Sequence, residues 1–193
     1  MIATMEELRE LMRDDLAVVL APGPSFWSAR HELICIGKPF VIGCNRVAQR
    51  FVCDFLVCIE PRGDRIWEQI GGDIGNGFTT LVTLPELHRH GSDLILPTIH
   101  PRDWPWNVDL HAGESPSSAW VAAALAAFMG ASRVGVLGVD LVGHPIHGRP
   151  EEIERQNAKW AELDAAVDCE FVNLSPGGAL DVLPRETLEA MTA

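Results

Sequence analysis

A short apolar run that ends in a proline-rich turn constrains the fold of this chain more than any other feature. Leu16–Leu20 is an unbroken apolar stretch, and it leads directly into the turn Ala21–Ser25, with the sequence APGPS. An apolar run of this length is typical of a strand that is buried on both faces of a parallel sheet. Ligands of open α/β sheets bind beyond the carboxyl ends of the strands. The stiff turn therefore predicts a ligand-binding edge, where a phosphate or sugar can approach the backbone at Gly23.

Similar short apolar runs recur along the chain, and segments of helical or irregular character separate them. The further strands are predicted at Phe40–Cys44, Phe55–Glu60, Thr79–Leu84, Leu94–Leu96, Val134–Val139 and Cys169–Asn173. Helices are predicted at Trp27–Leu33, Asp64–Ile70, Pro85–His90, Ser117–Met129, Pro150–Val167 and Arg185–Met191. This alternation predicts a single Rossmann-like domain over residues 1–193, a doubly wound and mostly parallel sheet with helices on both faces.

The composition indicates which partners the chain can have and in which cellular compartment it is expected. The chain has 15 basic and 27 acidic residues, a net charge of −12, which argues against a nucleic-acid partner because that affinity comes largely from basic side chains. Ala119–Met129, the longest apolar helical run, is too short to cross a bilayer core of about 30 Å. The N-terminal segment Met1–Arg13 lacks the pattern of a signal peptide. We therefore expect a soluble, cytoplasmic protein without a membrane span.

The five cysteines are Cys35, Cys44, Cys53, Cys58 and Cys169, and no CxxC spacing occurs among them. Most of them lie in apolar, strand-like runs. Such a pattern favours reduced core thiols over a disulfide framework or a metal site.

The segment 97–116 is the least regular part of the chain, and it contains four prolines, two tryptophans and two histidines. Long loops without secondary structure in a compact domain are usually functional or mobile. We interpret this segment as a lid or rim of the site. The alternatives are that its tryptophans cover a neighbouring surface or serve an interface.

Polar residues follow the second and third predicted strands at the same edge of the sheet. Asn45 has an acceptor and two donors that suit a base or ribose, but it could equally cap the next short helix. Glu60 could accept from a ribose hydroxyl or bind a metal. It could also form a turn ion pair with Arg62 or Arg65.

An acid and two histidines follow the strand predicted at Val134–Val139. Asp140 ends that strand, and His144 and His147 lie in the glycine-flanked loop behind it. Imidazole is suited to general acid/base catalysis near neutral pH, so either histidine is a candidate catalytic group. The two histidines could instead share a metal, although no further ligands are evident locally, or pack within the loop.

Two more segments face the predicted edge. Ser117 and Ser118 begin an alanine-rich helix, where serine caps free N–H groups and where an anion can also bind. Gly130 ends that helix. The loop 173–178, with the sequence NLSPGG, is either a second ligand-facing turn or a plain turn into the C-terminal helix.

The order of these segments resembles one known group of proteins. The order is strand–GPS, strand–Asn, strand–acid–Pro, Ser-Ser–helix–Met-Gly-Ala, strand–Gly-Val-Asp, His-Gly, a polar helix and strand–Asn-x-Ser-Pro-Gly. It resembles the bacterial sialyltransferases that use CMP-sialic acid, and the related 6-hydroxymethylpterin diphosphokinase-like superfamily, most closely its small phage-encoded members. The resemblance extends over roughly residues 18–188.

The resemblance implies a nucleotide site and a catalytic base. It implies that the nucleotide contacts these positions of the chain: Gly23, Pro24, Ser25, Asn45, Glu60, Ser117, Ser118 and Asp140. His147 matches the position of the base best, and His144 second best. The partners implied are a nucleotide or nucleotide-sugar and an acceptor that is a small molecule or a glycan.

Three departures from the sialyltransferase pattern keep alternatives open. Pro22 stands where that family has an Asn, the chain has no tyrosine to hold the leaving phosphate, and Glu60 replaces an Asn. With Pro22 in that place, we expect the loop to bind mainly through its backbone and Ser25. We expect a transferase, most simply glycosyltransferase-like, with no certain cofactor. The alternatives are a diphosphokinase acting on a pterin-like alcohol, with Mg²⁺ on Glu60 and Asp140, or a non-catalytic phage accessory protein.

Overall fold

The computed structural model describes residue 8 and residues 11–12, 15–35, 39–49, 51–58, 80–83, 94–95, 117–142 and 148–192. The strands are β1 (Leu16–Leu20), β2 (Phe40–Cys44), β3 (Phe55–Val57), β4 (Thr80–Thr83), β5 (Leu94–Ile95), β6 (Arg133–Leu137) and β7 (Glu170–Asn173). The helices are α1 (Pro24–Cys35), a 3-10 helix (Asn45–Gln49), α2 (Ser118–Phe128), α3 (Pro150–Ala166) and α4 (Leu188–Thr192).

The strands form a seven-stranded sheet in the order β5-β4-β3-β2-β1-β6-β7. Every pairing in it is parallel. The chain builds the sheet outward from β1 to β5 on one side and then returns to place β6 and β7 on the other. The order therefore reverses between β1 and β6, where Leu20 is paired with Leu137. All seven strands predicted from the sequence are confirmed, and β1 and β2 have the predicted bounds.

Side chains alternate between two apolar layers, one on each face of the sheet. Ala17 and Val19 of β1 belong to the layer that contains α2 and α3, whereas Val18 and Leu20 belong to the layer that contains α1 and α4. This alternation is the period of two that a strand imposes on its side chains. The prediction of a parallel α/β sheet with helices on both faces is confirmed.

Helix α2 lies against the centre of the sheet, and ten of its eleven residues are buried. Its alanines allow the helix axis to approach the strands closely. The helix ends at Gly130, which has φ of 95°, and the Ala131 N–H donates to the Ala126 carbonyl at 3.1 Å. A left-handed residue at this place is the usual way to end a helix, so the predicted stop is confirmed.

Helix α3 is amphipathic and packs through one face only. Gln156, Asn157, Trp160 and Leu163 are its buried residues, at the spacing of a helical stripe. Trp160 lies edge-on to Phe171 of β7, with ring centroids 6.5 Å apart. Truncating such a buried aromatic side chain typically costs about 3–5 kcal/mol. Helix α3 therefore covers β7 and closes this end of the core.

Several predictions fall outside the described residues. They are the helices at 64–70 and 85–90, the segment 97–116 and most of the N-terminal segment. Of the cysteines, Cys44, Cys53 and Cys58 are buried thiols, as predicted, and Cys169 is half-buried. No helix in the described part of the chain is long and apolar enough to span a membrane.

Candidate functional site

The reversal of strand order brings the loops after β1 and β6 into direct contact. The Ala21 N–H donates to the Leu137 carbonyl at 2.8 Å, and the Gly23 N–H donates to the Gly138 carbonyl at 3.1 Å. Gly138 has φ of 86°, and a Cβ there would collide with the Ala21 carbonyl oxygen. Glycine is required at this position because the two backbones approach without room for a side chain.

Asp140 joins the two loops through a buried carboxylate. Only 7% of the residue is exposed, and its Oδ2 accepts from both the backbone N–H and the Oγ of Ser25, each at 3.0 Å. Ser25 lies in the first turn of α1, where the helix dipole favours a negative charge. A Cβ built on Gly23 would meet the same Oδ2 and the Gly138 carbonyl. These contacts join Gly23, Ser25 and Asp140 into one compact group.

Ser175, in the loop after β7, completes this group. Its Oγ accepts from the Gly138 N–H at 2.9 Å and lies 3.0 Å from the Ser25 Oγ. The Ser25 hydroxyl has one proton, and the Asp140 carboxylate attracts it more strongly than a neutral hydroxyl does. We therefore assign the Ser175 proton to the Ser25 Oγ. The result is a continuous chain of hydrogen bonds from Gly138 to Asp140 across three strand ends, in which each bond polarises the next.

Further contacts hold the Ser175 loop from both sides. The Asn173 Oδ1 accepts from the Ser175 N–H at 2.8 Å. From outside, the Arg185 guanidinium donates to the carbonyls of Ser175, Pro176 and Gly178. A planar cation with several fixed donors suits a turn that presents three carbonyls. The loop is therefore organised before any ligand arrives.

Sequence reasoning named the loop 173–178 as one alternative for a second ligand-facing turn, but it gave Asn173, Ser175 and Arg185 no individual role. The sequence NLSPGG marked a turn after a strand, but nothing in it showed that Ser175 pairs with Ser25, 150 positions earlier. The available signal was topological, since β7 and β1 flank β6 in the sheet. Placing β7 there would have brought its carboxyl end to the same edge as the GPS turn.

A second group of predicted residues lies beyond β2, on the other side of β1. Asn45 has φ of 51° and begins the 3-10 helix. Its Oδ1 accepts from the Ser118 Oγ at 3.3 Å, which connects the end of β2 to the start of α2. The Ser117 Oγ accepts from the Trp120 N–H at 3.3 Å, so Ser117 caps α2 as predicted. Asn45 therefore begins a helix and also lies at the sheet edge where a ligand is predicted to bind.

The N-terminus of α2 differs from that of α1 in its backbone donors. The N–H groups of Ser118 and Ala119 have no hydrogen-bond acceptor within the part of the chain that the structure describes. Both residues are buried, with exposures of 5% and 4%. Buried backbone donors are nearly always paired, so this turn is suited to receive an acceptor.

The remaining predicted site residues are placed as follows. Pro24 is the first residue of α1 and is exposed. Glu60, His144 and His147 lie outside the described residues. Among the residues that the structure does describe, no cluster of three His, Cys, Asp or Glu side chains could hold a metal ion. The described chain thus brings the predicted residues into two groups, one around Asp140 and one around Asn45.

The thiol next to β2 has no nucleophilic character. Burial raises the pKa of Cys53 to about 12, and the neighbouring Asp54 carboxylate adds to the effect. Its Sγ occupies the space where a Cβ on Gly43 would lie. Thiol chemistry requires the thiolate, so Cys53 packs beneath the strand that leads to Asn45 rather than reacting.

Comparisons with known proteins give a fold but no family. No protein-family model matches the chain, and no curated protein sequence matches it. The structure is similar to that of the sialyltransferase CstII from Campylobacter jejuni in complex with a substrate analogue, CMP-3FNeuAc. That match has a TM-score of 0.63 and 12% identity, and it covers 93% of this chain and 88% of CstII.

Two further solved structures extend the comparison. The sialyltransferase CST-II in complex with a trisaccharide acceptor and CMP matches with a TM-score of 0.62 and 12% identity, covering 88% of this chain and 85% of that one. The MAf glycosyltransferase from Magnetospirillum magneticum AMB-1 matches with a TM-score of 0.57 and 13% identity, covering 95% of this chain but 36% of its own. The sialyltransferase-like fold that the order of motifs predicted is therefore confirmed.

Proposed function

We propose that this protein is a nucleotide-dependent transferase, a glycosyltransferase-like enzyme that uses a nucleotide-activated sugar donor. The observation that carries the proposal is the reversal of strand order between β1 and β6, flanked by both groups of predicted residues. Ligands of open α/β sheets bind at such a reversal. The similar CstII and CST-II structures contain CMP or a CMP-sugar analogue, which favours a nucleotide over other ligands.

In this proposal the two groups of residues have different tasks. Asn45, Ser117 and Ser118 bind the nucleotide at the start of α2, where backbone donors and the helix dipole favour a phosphate. Gly23, Ser25 and Asp140 form the wall beside it. Fixed donors that face the phosphate would stabilise the charge that develops there as the donor bond breaks.

The chemical step requires a base. In the proposed reaction the bond between the sugar and the nucleotide phosphate breaks, and the acceptor oxygen forms the new bond to the sugar. His147, or His144 in its place, takes the proton of the acceptor hydroxyl. The electron pair of the broken bond remains on the departing phosphate, so the step needs no oxidant or reductant.

Nucleotide binding is the first test. Titration calorimetry with CMP, UMP and AMP should give saturable binding of at least one of them. Asn45→Ala should weaken that binding by roughly tenfold, as expected for the loss of one good hydrogen bond. Ser28→Ala is the matched control, because Ser28 is exposed and its hydroxyl bonds only within α1. If none of the nucleotides binds, the proposal is wrong.

Turnover separates the transferase from its two alternatives. Release of CMP from a CMP-sugar should fall strongly in His147→Ala while CMP binding is retained. Loss of both binding and turnover with EDTA, and recovery with Mg²⁺, would instead favour the diphosphokinase. Nucleotide binding without turnover of any CMP-sugar would favour a non-catalytic binding protein.

A further inference from the structure

The loop after β1 has no backbone donor left for a ligand. Pro22 and Pro24 have no N–H group, and those of Ala21 and Gly23 donate to carbonyls of the β6 end. The Ser25 N–H donates to Asp140.

The next two donors of α1 are also engaged. The N–H groups of Phe26 and Trp27 both point to the Gly23 carbonyl, at 3.1 and 3.5 Å. Phosphate binding at a helix N-terminus depends on such N–H groups. The first turn of α1, although it lies at the reversal of strand order, therefore offers none.

A fixed negative charge occupies the same place. The Asp140 carboxylate is buried against the first turn of α1 and uses one oxygen for both Ser25 donors. The described ion pairs of the chain join other residues, so within the described part no cation neutralises it through an ion pair. A second anion brought to this turn would meet an unpaired like charge in a poorly solvated place.

The loop after β1 is also packed closely against the end of β6. A single added carbon on Gly23 would collide with the Gly138 carbonyl and with Asp140 Oδ2. The first turn of α1 thus disfavours an anion through the Asp140 charge and through the lack of free backbone donors.

We propose that Asp140 is a specificity-determining residue that acts as a built-in anion at the N-terminus of α1. It keeps phosphate away from the loop after β1, so that a bound nucleotide presents its uncharged nucleoside part to this wall. The part about the nucleotide rests on the proposed function, whereas the exclusion of anions does not.

Inorganic phosphate tests the exclusion without any nucleotide. Thermal unfolding in rising phosphate at constant ionic strength gives the reference curve for the wild type, which includes any phosphate that binds at the start of α2. Asp140→Ala should show a further saturable gain in Tm, with phosphate and also with formate, at an apparent affinity roughly tenfold or more above that of the wild type. Asp140→Asn removes the charge and keeps the size of the side chain, so its anion affinity should lie between those of the wild type and Asp140→Ala. Asp181→Ala, an exposed acid, is the matched control.

Amide NMR of the wild type keeps the test decisive if Asp140→Ala does not fold. The Ser25 amide signal should not move with phosphate, and it should move equally with cytidine and with CMP. A saturable phosphate shift at Ser25 in the wild type, or a folded Asp140→Ala that gains no anion binding, would overturn the proposal. If none of CMP, UMP and AMP binds while the phosphate results hold, the proposed function fails and the anion exclusion stands.

Discussion

Two helices, α1 and α2, begin at the same edge of this sheet, and their first turns are built in opposite ways. At α1 the chain supplies its own acceptor, because Asp140 takes the Ser25 donors. At α2 the chain supplies a serine cap at Ser117, while the N–H groups of Ser118 and Ala119 have no acceptor among the described residues. The same local geometry thus serves to join strands at one helix and remains available to a ligand at the other.

The difference teaches that a glycine-proline turn after a strand does not by itself identify a phosphate site. The GPS turn has the composition of a ligand-facing loop, and its backbone was expected to contact the ligand. Its donors are instead engaged within the chain. What decides between the two outcomes is an acid 115 positions further along, at the end of the neighbouring strand β6.

The largest expected effect concerns the contact between the loops after β1 and β6, next to the start of α1. Gly138→Ala places a Cβ at φ of 86° and against the Ala21 carbonyl, so the loops must separate. We expect the free energy of unfolding to fall by roughly 2–5 kcal/mol in urea denaturation, from backbone strain plus overpacking.

Gly177→Ala is the matched control for Gly138→Ala. A Cβ on Gly177 meets no atom within 4 Å, and its φ is not in the left-handed range. The change should stay within about 0.5 kcal/mol. Equal losses in the two variants would show that the contact between the β1 and β6 loops is not what requires glycine.

The sequence predicted the fold well because the strands are short, apolar and buried on both faces. Short apolar runs of this kind fit few structures other than a buried strand, and β1 and β2 have their predicted bounds. β6 ends two residues before the predicted Val139. The reason is Gly138, whose positive φ turns the chain out of the sheet toward Asp140.

The candidate site was predictable only in part, for a physical reason. Ser117 could be identified as a cap because capping is local, between residues three positions apart. The pairing of Ser25 with Asp140 and Ser175 depends on which strands become neighbours, and periodicity does not determine strand order. Nor does the sequence GPS show that Asp140 fills the space beside it.

The second effect concerns β2, the strand after which Asn45 contacts the start of α2. Burial raises the pKa of Cys53 to about 12, so the folded protein keeps this proton while the unfolded thiol loses it near its ordinary pKa of 9.0. Between pH 9 and 12 the folded state binds more protons, and the free energy of unfolding should fall as pH rises. The slope from this thiol is at most about 1.4 kcal/mol per pH unit.

Cys53→Ala isolates that contribution, since the slope between pH 9 and 12 should become shallower. It should not vanish, because burial also raises the pKa of Cys169 to about 12. Other side chains that titrate in this range are few, as the chain has no tyrosine and only two lysines, Lys38 and Lys159, so the remaining slope comes mainly from the other cysteines. Parallel slopes in urea denaturation of the two proteins would contradict the burial of Cys53 beneath β2.

A smaller loss of stability is expected from breaking the chain of hydrogen bonds that runs from Gly138 through Ser175 and Ser25 to Asp140. Ser175→Ala leaves the Gly138 N–H without its acceptor and removes one of the two hydrogen bonds of the Ser25 Oγ, which keeps its bond to Asp140. An unpaired buried polar group costs about 1–3 kcal/mol, which urea denaturation can measure. The exposed Ser28→Ala should change stability very little. A Ser25→Ala, Ser175→Ala double variant should lose less than the sum of the two, because the residues share one network.

The smallest expected change in stability gives the sharpest comparison between the two helices. Ser117→Ala removes the cap of α2 and should cost about 1 kcal/mol. Ser117→Asp keeps the cap and adds a charge that the helix dipole favours, so stability should be retained. That acid would also give α2 the negative charge that Asp140 gives α1. If the start of α2 receives the nucleotide phosphate, Ser117→Asp should lose CMP affinity in calorimetry while cytidine affinity is kept, and Ser117→Ala should lose much less of either. Unchanged CMP binding by Ser117→Asp would mean that the phosphate binds away from α2. The first turns of α1 and α2 would then not differ in their role toward the phosphate.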